Sequence, residues 1–279
     1  MTIQRQTIFR TALAYFGLIM LSIIFLIPLY WLVRSSLMDD STIFTFPPQW
    51  IPNPVAWENY DFALSRYPLF QYLGNTLTIL IPALVGTIVS ATLVAYGFAR
   101  ISWPGRDLVF GLLLSTLMLP YVVTLIPTFF MWSRLGFVDT YVPLIVPSWF
   151  GGGMFNIFLL RQFFRTIPQD YDEAATLDGA NHFQILWHLI VPMSRPAIIT
   201  IAIFSFLHHW NDFLGPLIYI SDPEKQTLAL GLSNFQGYYS AEWGHLMAAS
   251  TLMILPIIVL FFVAQKYFIK GIALGGLKG

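Results

Sequence analysis

The stretch DEAATLDGA, Asp172 to Ala180, carries three acids and four small residues in nine positions. It is polar and favourable to helix, yet the chain on either side of it is mostly oil. Runs free of Asp, Glu, Lys and Arg cover Thr11–Val33, Tyr67–Ala99, Leu108–Ser133, Thr140–Leu160, Pro196–Asn211 and Trp243–Gln265, the fifth extending to Ser221 if Asp212 is tolerated. About 20 apolar residues are needed for a helix to cross a bilayer, so each run is a candidate span. The polar stretch falls between the fourth and the fifth.

Composition agrees. Of 279 residues, 57% are hydrophobic, 17% aromatic and only 10% charged, against about 25% charged in soluble domains. Mean hydropathy is +0.68. Formal net charge is zero and no basic stripe is present, which excludes a nucleic-acid partner. There is no cysteine, so disulfides, thiol catalysis and cysteine zinc sites are excluded. The first run is too long for a signal peptide and has no small-residue cleavage site, so it reads as a retained span. The expectation is an all-α membrane protein of one domain. Its six helices span about 12–34, 73–99, 108–131, 141–163, 196–218 and 244–267, with a polar loop at 164–195 and a tail at 268–279.

Charge sets the orientation. With the termini on one side, that side holds Arg5, Arg10, Arg100, Arg106, Arg161, Arg165, Arg195, Lys266, Lys270 and Lys278, and the other holds Arg34, Arg66, Arg134 and Lys225. The positive-inside rule then places both termini and DEAATLDGA in the cytoplasm. On the far side, FPPQWIPNPVAWENY (Phe46–Tyr60) combines four prolines with Trp and Tyr, the makings of an irregular lid anchored at the lipid–water boundary or of a surface for an extracellular partner.

The polar loop is punctuated as an elbow. Pro168 followed by Asp170, Asp172 and Glu173 suits a helix N-terminus, and Ala174, Ala175 and Leu177 favour its continuation. Gly179 can adopt the left-handed conformation that ends a helix. Asn181 can cap a second helix, Phe183–Ile190, which Pro192 is expected to stop. A small, Ala-rich helix on such a corner suits a groove on another protein. Its acidic first turn argues against lying on anionic headgroups.

With those residues in view, Glu173-Ala174-Ala175, three residues, Gly179, nine residues, Leu189, one residue, Val191-Pro192 resembles the signature loop of ABC importer permeases, departing from it by apolar swaps at Leu189 and Val191. Further stretches resemble the carbohydrate-uptake branch, of the maltose-transporter type of smaller permease: ENYDFAL, NTLTIL, AYGFARISWPGRD, LMLPYVVTLIPTFFMWSRLGFVDTY, WNDFLGPLIYI and GIALGGLKG. The resemblance implies the type I importer permease fold in a bacterial or archaeal cytoplasmic membrane, working with a second homologous permease, two ATP-binding cassette ATPase subunits and an extracellular or periplasmic sugar-binding protein. It implies no catalysis and no cofactor on this chain, with ATP and Mg held by the ATPases. It gives Glu173, Ala174, Ala175, Leu177, Asp178, Gly179, Ala180 and Pro192 the ATPase-coupling role, and Gly275, Gly276, Lys278 and Gly279 contact with the ATPases.

For the solute path the residues leave alternatives. Asp212 is the one carboxylate well inside a run, beside Trp210, Asn211 and Phe213, and an acid at membrane depth is functional by default. These four fit a wet cavity for a sugar, with rings against its apolar face and amides on its hydroxyls, or Asp212 lies near a span end and pairs with a partner's donor. His208 and Asp212, spaced i and i+4, also suit a proton relay in a secondary transporter, or half of a metal site. Pro120 and Pro127 are expected to kink the third span, and Gly151-Gly152-Gly153 to loosen the fourth or admit another backbone. No arginine is expected at depth, which favours a neutral sugar over the polyol phosphates that this branch also carries.

Overall fold

The structure is a computed structural model. It describes the backbone of residues 2–235 and 242–275, and side chains over 10–235 and 242–265. Among the described residues every regular element is helical. Four helices are long and apolar enough to cross a membrane: α1 (Thr2–Ser35), α3 (Leu69–Ala99), the stretch Val142–Thr166, which joins α6 (Val142–Ile145) to α7 (Met154–Thr166), and α12 (Trp243–Gly275). Two bent pairs, Arg106–Met118 with Tyr121–Arg134 and His182–Met193 with Arg195–Trp210, raise the number to as many as six by length and composition. Between α1 and α3 lies α2 (Glu58–Arg66).

The chain divides into two compact units, residues 1–69 with 232–255, and residues 70–231 with 256–279. In the first, α1 buries none of its apolar window. Past its end the proline-rich stretch has no regular helix before Glu58 and is pinned by Arg34. That guanidinium is 2% exposed, donates to the carbonyls of Gln49 (Nε, 2.7 Å) and Ile43 (3.2 Å), and lies over the Trp31 ring. Phe46, Trp50, Ile51 and Trp57 remain exposed. Asn59 on α2 donates to the carbonyls of Ser36 and Met38 and closes the unit.

The second unit is organised around α3. Its core joins Ala91, Ala95, Tyr96 and Phe98 to Ile157, Leu160 and Phe164 of α7, and to Ile185, Leu186 and Ile190 of the polar loop. Ala91 and Ala95 of α3 are fully buried in this core. At Gly152, where φ is +63°, a Cβ would stand 2.6 Å from the Thr87 carbonyl oxygen, so only glycine allows the two backbones to meet there. The glycine triplet does admit another backbone.

Two of the expected spans are not single helices. The third breaks after Leu119 into α4 (Arg106–Ser115), continued by a 3-10 turn to Met118, and α5 (Tyr121–Arg134), with axes 100° apart. Pro120 has no N–H to continue the ladder, so the sharp break sits there, whereas Pro127 is accommodated inside α5. The fifth ends early: α10 runs Arg195–Trp210, then Asn211 to Phe213 are non-helical, and α11 (Leu214–Tyr219) follows.

At the end of this unit opposite the polar loop, a clasp joins the helix ends. Asp139, at φ +61°, accepts from the backbone N–H groups of Ser221 (3.0 Å) and Asp222 (2.9 Å), and its Oδ2 lies 2.8 Å from Lys225 Nζ. Asn75 of α3 donates to the carbonyls of Glu224 and Gln226. The hydrogen bond from Lys225, then those from Asp222 and Ser221, hold the Asp139 carboxyl at about 2, below its ordinary 3.8. A depressed carboxyl stabilises the fold above its ordinary value and loses that contribution as pH falls through the lowered one. Amides 221 and 222 therefore keep their hydrogen-exchange protection at pH 4 and lose it near pH 2, while Asp139→Asn weakens it already at neutral pH. Equal protection in both proteins at pH 7 would contradict the clasp.

Candidate functional site

The polar loop folds as an elbow. Its first arm, α8 (Asp170–Leu177), starts two residues after Pro168, with Asp170, Asp172 and Glu173 in its first turn, where the helix dipole favours acids. Gly179, at φ +87°, turns the corner. The second arm opens with α9 (His182–Ile185) under a capping box: Asn181 Oδ1 accepts from Gln184 N–H, and Gln184 Oε1 accepts from Asn181 N–H, both at 2.9 Å.

Pro192 does not stop this arm. The chain widens to a π turn over Leu186–Ile190 and stays helical through Val191–Met193. A proline in a regular helix clashes with the carbonyl four residues before it, and the wider turn makes room for the ring. The stop comes at Ser194, whose N–H donates to the Ile190 and Val191 carbonyls, and α10 leaves at 81° to the arm.

Between the arms lies a cleft of about 360 Å³ lined by Ala175, Asp178, Gly179, Ala180, Ile185 and His188, among others. Four of the eight residues singled out from the sequence thus meet in one place. Glu173 and Ala174 are exposed on α8, Leu177 is 89% exposed, and Pro192 is exposed on the far arm. The inner side of the elbow is dense, with Ile167, Ile185, Leu186 and Ile190 buried in the core. There, burial raises the carboxyl of Asp172 above its usual range against the opposing pull of Arg100 and His182. Gly275 ends α12, and Gly276, Lys278 and Gly279 lie outside the described residues.

None of the four residues named for the solute path lines the cavity described below. Trp210 is 2% exposed and stacks on Phe206; Asn211 folds back on the Leu207 carbonyl; Phe213 faces outward. Asp212 sits in the helix break, where its Oδ1 accepts from Gly215 N–H at 3.0 Å and starts α11. Since α10 ends at Trp210, His208 and Asp212 share no helical face, which removes the relay and metal geometry built on their spacing.

A cavity of about 450 Å³ lies elsewhere, where α3, α7 and α10 converge, lined by Thr87, Ser148, Asn156, Phe204, His208 and His209 among others. Asn156 Nδ2 donates to the Gly152 carbonyl at 2.7 Å, while its Oδ1 is buried with no partner among the described residues. Ser148 Oγ is 3.5 Å from His209 Nε2. Phe204 lies nine residues into α10, about 14 Å along its axis. The sequence did carry a pointer, because the glycine triplet opens the backbone beside Asn156.

An apolar helical protein with an elbow between its fourth and fifth candidate spans, and a cavity where three helical segments converge, has the outline of a membrane transport component. Comparison with known proteins places it. Residues 84–274 match the family described as binding-protein-dependent transport system inner membrane component, and the chain belongs to that family. It is 32% identical over 276 residues to the arabinooligosaccharides transport system permease protein AraQ of Bacillus subtilis, covering 98% of this chain and 97% of that protein. It is 31% identical over 278 residues to the trehalose/maltose transport system permease protein MalG of Thermococcus litoralis, covering 99% of each. In fold it matches a chain from the crystal structure of a bacterial ABC transporter involved in the import of the acidic polysaccharide alginate, with a TM-score of 0.80 at 22% identity, over 92% of this chain and 97% of that one. The chain is thus an ABC importer permease of the type I fold.

The two special glycines predict different costs. Gly152→Ala meets the Thr87 backbone, which cannot withdraw, and should lower stability by roughly 1–3 kcal/mol. At Gly179 a Cβ meets nothing within 4 Å, so Gly179→Ala should cost only the left-handed backbone penalty, about 1 kcal/mol. Thermal unfolding of the detergent-solubilised protein ranks the two, and a larger loss at Gly179 would contradict this packing.

Proposed function

We propose that this chain forms, with a second homologous permease, the membrane path of an ATP-driven sugar importer fed by an extracellular binding protein. The observation that carries the reading is the cleft between the elbow arms, a notch lined by Ala175, Gly179 and Ala180 beside the exposed Leu177. Small residues let a partner's backbone come close, and one exposed apolar side chain gives it an anchor. On this reading each permease seats one ATPase subunit at its elbow. ATP and Mg are bound and used there, and closure of the ATPase pair swings the elbows as rigid bodies. Glu173, Ala174, Asp178 and Pro192 frame the docking face. Gly275, Gly276, Lys278 and Gly279 extend towards the same ATPases, both termini are cytoplasmic, and the expected six spans form one transmembrane domain.

The solute is a neutral sugar. The relatives reported above serve arabinooligosaccharides and trehalose or maltose. The cavity where α3, α7 and α10 converge suits such a solute, with the Phe204 ring for an apolar sugar face and Asn156, Ser148 and the imidazoles for hydroxyls. A phosphorylated polyol is disfavoured, because the cavity lining holds no Lys or Arg to meet the phosphate. Asp212, engaged with Gly215, acts as a helix cap.

Two measurements test this. The chain has no cysteine, so Leu177→Cys offers a single thiol, which in intact cells should resist a membrane-impermeant maleimide and react once the membrane is opened. Reconstituted with its partners, the transporter should show ATPase activity stimulated several-fold by sugar-loaded binding protein. Labelling of Leu177→Cys from outside would reverse the orientation, and uptake without nucleotide would end the importer reading.

A further inference from the structure

Where α3 ends, one of its faces grips the elbow at three points. Tyr96 and Arg100, spaced i and i+4, project from the same side of the helix. Arg100 Nη2 donates to the Ile167 carbonyl at 2.8 Å, just before the first arm, and its Nε lies 3.5 Å from Asp172 Oδ2 within α8. One turn back, the Tyr96 hydroxyl meets Nδ1 of His182, the first residue of α9, at 3.3 Å. The Arg100 side chain is 2% exposed and that of Asp172 19%. The corner between the arms is glycine, with no side chain of its own to fix their angle.

A buried ion pair gains little over apolar packing, and what it adds is geometric demand. Apolar packing is already in place here, with Ile167, Ile185 and Leu186 in one cluster with Ala95, Tyr96 and Ala99. The force route matters as well. Along the chain the elbow reaches α10 only through the 81° bend at Ser194. Through Arg100 it reaches α3, a helix of 31 residues that carries Thr87 in the cavity wall. Thr87 lies 13 residues away, about 20 Å along the axis.

We propose that Arg100 and Asp172, supported by Tyr96 and His182, are positioning residues that lock both elbow arms to α3, so that motion of a docked ATPase enters the membrane through α3 and reaches the cavity wall directly. The proposal rests on the docking role given to the elbow above. It separates two functions of one loop: the outer face receives the motor, and the inner face, through a charge pair, chooses the helix that is moved.

The test uses the absence of native cysteines. Leu93, 40% exposed on α3, and Thr176, exposed on α8, are both replaced by cysteine and spin-labelled in the assembled transporter. The label–label distance should be narrow and unchanged by ATP. Asp172→Asn and Arg100→Gln should broaden it and lower sugar moved per ATP hydrolysed roughly tenfold, while Asp172→Glu, which keeps the charge, restores both. The lock is overturned if the distribution stays narrow in Asp172→Asn, or if it broadens with no change in sugar per ATP. It is also overturned if Asp172→Glu behaves like Asp172→Asn, since folding alone would then explain the loss. If the distances behave as expected but unaltered transporter moves sugar without ATP, the lock between elbow and α3 stands and the docking reading falls.

Discussion

A peptide group in hydrocarbon has no water to bond, so every interruption of a membrane helix must find its partners within the protein. This chain interrupts its spans three times and meets the requirement differently each time. Before Pro120, Ser115 and Thr116 return their hydroxyls to the carbonyls of Leu112 and Leu113 while a 3-10 turn closes the end. At the glycine triplet, Asn156 takes up the Gly152 carbonyl and Ser90 that of Ser148. After Trp210, Asn211 bonds backward to Leu207 and Asp212 forward to Gly215. Many polar residues at these breaks are therefore structural, whereas Asn156 Oδ1, like Thr92 Oγ1 and Trp132 Nε1, is buried with no hydrogen-bond partner among the described residues.

The same distinction explains what could be read from the sequence. Charge-free runs marked the apolar segments, because burial in lipid is a compositional demand. The elbow was legible from its caps, since Gly179 and Asn181 act through local backbone geometry that depends little on the rest of the fold. Pro192 misled, because its effect depends on whether the preceding turn can widen, and that is settled by packing of Leu186 and Ile190 in the core. Asp212 misled for a related reason. The i, i+4 spacing of His208 and Asp212 puts them on one face only if the helix continues to Asp212, and here it stops two residues earlier. The cavity lining was illegible because Thr87, Ser148, Asn156 and His209 come from separate segments that only the packing of α3, α7 and α10 assembles.

The elbow and the cavity are linked by α3. Its C-terminal end holds Arg100 against Asp172, its middle meets Gly152 and lines the cavity, and its N-terminal end carries Asn75 into the clasp with residues 224–226. Each contact is of a different chemical kind: an ion pair, a backbone approach that depends on a missing side chain, and amide-to-carbonyl bonds. On the proposed reading the motor docks beside one end of α3 and the solute passes further along, so that a single element connects the two tasks.

The meeting of Thr87 with Gly152 has a mechanical corollary. A helix and a turn that touch backbone to backbone have no compliant side chains between them to absorb sliding. They behave as a spot weld, and whatever opens and closes in this protein must part along seams that run around the welded pair and never through it.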